Sequence, residues 1–260
     1  MNLGISGKYA LITGGSRGIG KSIALLLAEE GCNVAICARS QPDINSTVRE
    51  VKAKGVAVLG VAADVTETSE VQKVIDTVRQ EWGTIHILVN NVGGGGRWGK
   101  EVVEETADDV WMEVFNKNAM VAVKFTKAII PWMKKQQWGR IVTITSIYGR
   151  EGGGRPWFNM AKAAQTSLMK CLGLNKDLVR SGITFNSVAP GAIMIPKTGW
   201  EAERNKDPEA FDEMLGEQFT LGRLGTPEEV ANVVVFLCSE RASLINGVSI
   251  AADGGQSRSF

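Results

Sequence analysis

The chain has 260 residues, 44% of them hydrophobic, which is enough for one sizeable core. Its 29 Lys and Arg balance 28 Asp and Glu, so no global field draws it to nucleic acid or to a membrane surface. No apolar run reaches the ~18 residues of a membrane span, and the opening MNLGISGKYALITGG lacks a signal peptide's apolar stretch and reads as a loop entering a strand.

In chain order, short apolar, β-branched runs predict strands over 9–12, 34–38, 56–62, 85–90, 140–145, 183–189 and 248–251. Helical periodicity fills the gaps at 18–30, 43–54, 67–82, 107–136, 157–180 and 227–240. Near-continuous apolar strands mean a sheet covered on both faces. The alternation predicts a single-domain, doubly wound Rossmann-like α/β fold of about seven parallel strands, with helices on both faces. Gly31 reads as the glycine that ends the first helix, and Gly182 closes the helix that begins after Pro156. Thr226, Pro227 and Glu229 read as cap, first and third positions of the last helix. The polar stretch 192–222 between two strands is the one insertion, and reads as a mobile lid.

Cysteines stand at 32, 37, 171 and 238 with no CxxC pair, so they read as small buried apolar residues rather than zinc or redox ligands. That usage points to a reducing, cytoplasmic setting. The lone histidine, His86, lies in an apolar run and reads as structural; a multi-histidine metal site is not expected.

The first strand runs into Thr13-Gly14-Gly15-Ser16-Arg17-Gly18-Ile19-Gly20 and then a helix. That order makes a pyrophosphate cradle: glycines admit the phosphates, and the helix N-terminus offers N–H groups. At the end of the second strand an NAD site usually carries an acid for the ribose hydroxyl. Here the residues are Cys37-Ala38-Arg39-Ser40. Arg39, with Arg17 from the loop, suits a 2′-phosphate, so NADP(H) is favoured over NAD(H).

With these residues in view, the chain resembles the short-chain dehydrogenase/reductase family over nearly its whole length. TGGSRGIG at 13–20 is similar to that family's cofactor loop, Asp64-Val65 to its adenine contact, and Asn90-Asn91-Val92-Gly93 to its N-N-A-G motif with Val92 in place of Ala. Asn118, seven residues after Trp111, resembles the family's helix asparagine, and Ser146 at the end of IVTITS its catalytic serine. Asn186, Pro190 and Gly191 are similar to the segment beside the nicotinamide, and GRLGTPEEVA and ADGG to the C-terminal signatures. The resemblance implies cofactor contacts from Gly14, Ser16, Arg17, Gly18, Ile19, Gly20, Arg39, Asp64, Val65, Asn91, Gly93, Lys162, Pro190, Gly191 and Ile193. It implies catalysis by Asn118, Ser146, Lys162 and a tyrosine four residues before the lysine.

That tyrosine is absent: RPWFNMAKAAQ places Phe158 there. By the resemblance, the tyrosine gives a proton to a carbonyl oxygen, Lys162 lowers its pKa and holds the nicotinamide ribose, Ser146 binds the substrate oxygen, and Asn118 holds a proton-passing water. Phe158 keeps the shape and loses the proton. The expected function is therefore an NADP(H)-dependent oxidoreductase between ketone and secondary alcohol, impaired at Phe158. Phe158 is either an engineered change or a natural loss; the presence of every other catalytic position favours engineering. The alternative is a naturally silent NADP(H)-binding sensor or partner protein, and an enone reductase that needs no phenol is a third reading. Tyr148, two residues after Ser146, reads as a substrate contact or a residue packed under the lid.

The segments NVGGGGRW and IYGREGGGRPW follow strand ends, where the substrate crevice of such a sheet lies. Their Arg97, Arg150 and Arg155, with Trp98 and Trp157, suggest a small-molecule carbonyl or alcohol substrate with an anionic or polar group, or else arginines facing solvent or another subunit. The helices at 107–136 and 157–180 resemble those through which the family pairs, usually into homotetramers; Trp132, Met133 and Trp138 would suit a buried contact there, and core packing explains them as well.

Overall fold

A computed structural model of the chain describes residues 1–96, 98–100 and 102–259. Seven strands form one parallel sheet: β1 (Tyr9–Thr13), β2 (Asn33–Ala38), β3 (Val58–Ala62), β4 (Ile87–Asn90), β5 (Gly139–Ile144), β6 (Ile183–Pro190) and β7 (Ser249–Ala252). Their order is β3-β2-β1-β4-β5-β6-β7. The order reverses between β1 and β4, where an open α/β sheet leaves a crevice at the strands' carboxyl ends.

Alternating strand residues feed two cores. Ala10 and Ile12 of β1 pack with α1 (Gly18–Glu29), α2 (Gln41–Lys52) and α10 (Pro227–Leu237). Leu11 faces α3 (Thr68–Trp82), α5 (Val121–Gln136) and Met169 of α6 (Pro156–Gly173). This is the doubly wound Rossmann-like fold expected from the strand and helix periods. Gly31 at φ 81° and Gly182 at φ 76° adopt the left-handed conformation that ends a helix. Thr226 and Glu229 form a complete capping box on α10.

Two long predicted helices are broken. The 107–136 segment becomes α4 (Asp108–Phe115), a π turn over Asn116–Met120, and α5. The Asn118 amide donates to the Val114 carbonyl at 2.7 Å and to the Gly94 carbonyl at 2.9 Å, tying the widened turn to a neighbouring loop. The 157–180 segment ends at Gly173, whose carbonyl accepts from Asn246, and Asn175 caps a new helix, α7 (Lys176–Arg180). β3 and β4 each start two residues later than predicted.

The 192–222 insertion holds α8 (Gly199–Lys206) and α9 (Pro208–Gln218), packed through Phe211, Leu215 and Trp200. Cys32, Cys37 and Cys238 are buried, but Cys171 is exposed, because α6 turns Ala161, Gln165 and Met169 inward instead. His86 accepts the Tyr9 N–H at 3.2 Å and stacks on the Tyr9 ring. Burial, helped by Lys8, lowers its pKa to about 4, so it stays neutral in a structural role. Met133 is a core residue, and Trp138 lies between Lys8 and Arg140, each within 4.4 Å of its ring. Neither is a free surface contact. Among the described residues, no helix is long and apolar enough to cross a membrane.

Candidate active site

A cleft of about 970 Å³ opens at the reversal point. Every residue expected to touch cofactor lines it: Gly14, Ser16, Arg17, Gly18, Ile19, Gly20, Arg39, Asp64, Val65, Asn91, Gly93, Lys162, Pro190, Gly191 and Ile193. Ser146 and Phe158 line it too, and Asn118 stands behind it with its side chain fully buried.

The cradle is built from β1 outward. Thr13 Oγ1 accepts the N–H groups of Asn91 and Val92 at 3.0 and 3.1 Å. Asn91 in turn donates to the carbonyls of Thr13 and Gly14. These bonds lock the end of β4 against the glycine loop. Gly14, at φ 67°, takes a backbone conformation that other residues resist. Arg17 precedes α1 without capping it by its side chain, so the first-turn N–H groups have no side-chain acceptor. A Cβ on Gly20 would press into the Gly14 carbonyl and the Asn91 amide. Gly20→Ala is therefore expected to destabilise the fold by about 1–3 kcal/mol and to abolish dinucleotide binding, as read by thermal melting and a fluorescence titration.

At the far end of the cleft, Asp64 accepts from the Thr66 hydroxyl at 2.7 Å and the Thr66 N–H at 3.1 Å, and these bonds hold its carboxyl below the usual range. Lys117, not singled out from the sequence, lies 4.1 Å from the Trp98 ring centroid. Burial lowers its pKa, and Arg39 and Arg17 push it down further. Three cations close enough to repel one another fit a bound phosphate.

At the opposite end, the segment after β5 delivers Ser146 and the first turn of α6 delivers Phe158. The Ser146 hydroxyl oxygen accepts the Tyr148 N–H at 3.2 Å, which fixes its direction. Lys162 is only 4% exposed; its ammonium donates to the Ile144 carbonyl at 3.1 Å and to Gln165 Oε1 at 3.0 Å. It lies 5.7 Å from the Phe158 ring centroid. Burial lowers its pKa to about 7. A lysine in the unfolded chain titrates near ~10.4. Between those values the unfolded chain holds a proton that the folded chain lacks. Stability is thus expected to rise with pH across that window, with the full penalty present below about 7. Urea midpoints at pH 7 and 9 check this: the difference should shrink in Lys162→Met.

Asn118 Oδ1 accepts the Gly94 N–H at 3.1 Å, and its carbonyl accepts from Gln165 at 3.0 Å. Any proton-passing water at Asn118 has to share that carbonyl with Gln165.

Beside the cleft lies a smaller cavity of about 440 Å³, walled by Ser146, Tyr148, Phe158, Trp200 and Gln256. Gln256 belongs to the tail after β7. It accepts the Ala192 N–H at 2.7 Å, while Glu151 accepts the N–H groups of Arg258 and Ser259 at 2.8 and 2.9 Å. Only its place after ADGG could have pointed to Gln256. Tyr148 packs against Gly153 and Gly154 and shares the smaller cavity with Trp200 of the α8–α9 insertion. Of the three expected substrate arginines, Arg155 donates to the Trp98 and Gly99 carbonyls at 2.7 and 2.5 Å, bracing that loop. Arg150 acts electrostatically on Asp253, and Arg97 lies outside the described residues. Trp157 is fully buried, edge-on to Trp111, and serves the α4–α6 packing rather than the cavity.

A family model described as enoyl-(acyl carrier protein) reductase matches residues 14–257. The 3-oxoacyl-[acyl-carrier-protein] reductase of Staphylococcus epidermidis is 37% identical over 250 residues, covering 95% of this chain and 98% of its own. The chain belongs to the short-chain dehydrogenase/reductase family. L-Sorbose reductase from Gluconobacter frateurii, solved with NADPH and L-sorbose, is 35% identical with a TM-score of 0.92 and full coverage of both chains. A single-site variant of actinorhodin polyketide ketoreductase, solved with NADPH, is 31% identical with a TM-score of 0.88, covering 97% of this chain and 98% of that one.

Proposed function

We propose that the chain is an NADP(H)-dependent oxidoreductase that interconverts a small, polar ketone and its secondary alcohol, with turnover held down by Phe158. One observation carries this reading: Ser146, Phe158 and Lys162 line the same cleft as Arg17, Arg39 and the glycine loop. NADPH, when bound, supplies the hydride. The chain's residues do the rest. Arg17 and Arg39 hold the 2′-phosphate, and the first turn of α1 the pyrophosphate. Lys162 holds the nicotinamide ribose, and Ser146 donates to the substrate oxygen where negative charge develops. Phe158 has no proton to give, so protonation of that oxygen falls to water.

The smaller cavity supports a small polar substrate, since Ser146, Tyr148 and Gln256, each with a hydrogen-bonding side chain, line it. In a Phe158→Tyr background, Gln256→Ala is expected to raise KM about 3- to 10-fold, the worth of one hydrogen bond, while leaving the NADPH Kd unchanged. The α8–α9 insertion contributes Trp200 to this cavity and enters through Lys197 at φ 61°, which suits a lid hinged there. Pairing into a homotetramer through α4, α5 and α6, in a reducing cytoplasmic setting, completes the proposal; Met112 and Met160 leave apolar surface on α4 and α6. Sedimentation velocity tests the assembly.

Phe158 itself favours a second reading, a silent NADP(H)-binding protein. The deciding experiment follows NADPH and NADH oxidation by this chain and by Phe158→Tyr against ketoses, 3-oxoacyl thioesters and cyclic ketones. Turnover in the Tyr form alone supports the reductase. Tight NADPH binding with no turnover in either form supports the silent binder.

A further inference from the structure

Gln165 has no role in the reading above, yet it is fully buried and touches both Lys162 and Asn118. It stands three residues after Lys162, so the two side chains share a face of α6. Its Oε1 accepts from the Lys162 ammonium at 3.0 Å, and its Nε2 donates to the Asn118 carbonyl at 3.0 Å. The polarity of these partners is fixed: an ammonium only donates and a carbonyl only accepts. A side chain joining them must present an acceptor to one and a donor to the other. A primary amide does this; an aliphatic side chain of similar size does neither.

We propose that Gln165 is a positioning residue that clamps Lys162 to the π turn at Asn116–Met120. The clamp extends further, because Asn118 exchanges two hydrogen bonds with Gly94. Lysine, π turn and the loop after β4 are thereby fastened as one unit around the place where the nicotinamide ribose is held. This role rests on the reading of Lys162 as the ribose-holding residue. The groups facing the ammonium are the Ile144 carbonyl, the Gln165 amide, the Phe158 ring and the Gly93 backbone, all neutral. The amide oxygen is therefore one of two described acceptors that keep a buried ammonium in place. The competing view is that Gln165 only fills space between α6 and the π turn.

The two views predict opposite orders for two substitutions in the full chain. Gln165→Glu keeps an acceptor for the ammonium but loses the donor to the Asn118 carbonyl, and Gln165→Leu keeps only the volume. Lys162 can be titrated by ¹³Cε NMR in lysine-labelled protein, with its resonance assigned by loss in Lys162→Met. For a clamp, Gln165→Leu should lower the Lys162 pKa and weaken NADPH binding about tenfold, the effect of one charge-assisted bond. Gln165→Glu should raise that pKa by about 1–3 units and, having lost the donor to the Asn118 carbonyl, weaken NADPH binding by less than Gln165→Leu does. If Gln165→Leu binds NADPH like the parent while Gln165→Glu loses it, the clamp is refuted. If Gln165→Leu does not fold, Gln165→Glu decides alone: a raised pKa with NADPH binding weakened less than about tenfold supports the clamp, and an unmoved pKa overturns it. A parent that fails to bind NADPH would sink the reading of the cleft; the Lys162 titration would still decide the contact.

Discussion

Phe158→Tyr should raise kcat/KM for a ketone substrate by about 10²–10⁴-fold, the usual contribution of a positioned acid, with the NADPH Kd unchanged. The substitution adds one oxygen to a ring already in the cleft wall, so the cofactor site has no reason to move. A free phenol titrates near ~10, and a cation beside it favours the phenolate. The Lys162 ammonium, 5.7 Å from the Phe158 ring centroid, is the nearby source of that charge. Burial alone brings Lys162 to about 7, so a phenol and this lysine would titrate as a coupled pair. Activity in the Tyr form should accordingly follow a bell-shaped pH profile belonging to the pair. Steady-state kinetics on both forms from pH 5 to 10 check this. Equal turnover in the two would show that the chemistry does not use a phenol at 158.

Removing both arginines at the adenosine end should collapse the preference for NADPH. Arg17 and Arg39 line the cleft and act together on Lys117. A charged hydrogen bond contributes about 1.5–3 kcal/mol, or roughly 10- to 100-fold per arginine. The double variant Arg17→Ala, Arg39→Ala is expected to lose NADPH affinity by about 10²-fold or more, with NADH affinity nearly unchanged, since no phosphate is at stake there. Fluorescence titrations with both cofactors measure it. Parallel loss for NADH and NADPH would mean that the arginines support the loop rather than read the phosphate.

Much of the fold could be read from the sequence because each local signal agreed with the global one. Strand runs, glycine turns and the Thr226 capping box all point to the same doubly wound sheet. What escaped detection depends on contacts between distant segments. Nothing in the run around Asn118 shows that its amide will bond backward to Val114 and across to Gly94 and open a π turn. Gln165 looks like an ordinary polar helix residue until α6 is set beside that turn. Gln256 joins the cavity through distant segments: its amide oxygen accepts the Ala192 N–H, and Glu151, more than a hundred residues earlier, pins the residues that follow it. Trp157 and Arg155 misled for the same reason: their chemistry suits a substrate, and their packing uses it for structure.

The buried Lys162 has a practical consequence for anyone engineering this protein. A thermal-shift screen near neutral pH scores only how well a sequence holds together, and an ammonium sealed among neutral groups counts against it. Variants that trade Lys162 for methionine would rise to the top of such a ranking. A library selected by heat alone would thus drift toward rugged proteins stripped of their chemistry, and counter-selection by dinucleotide binding would be needed in every round.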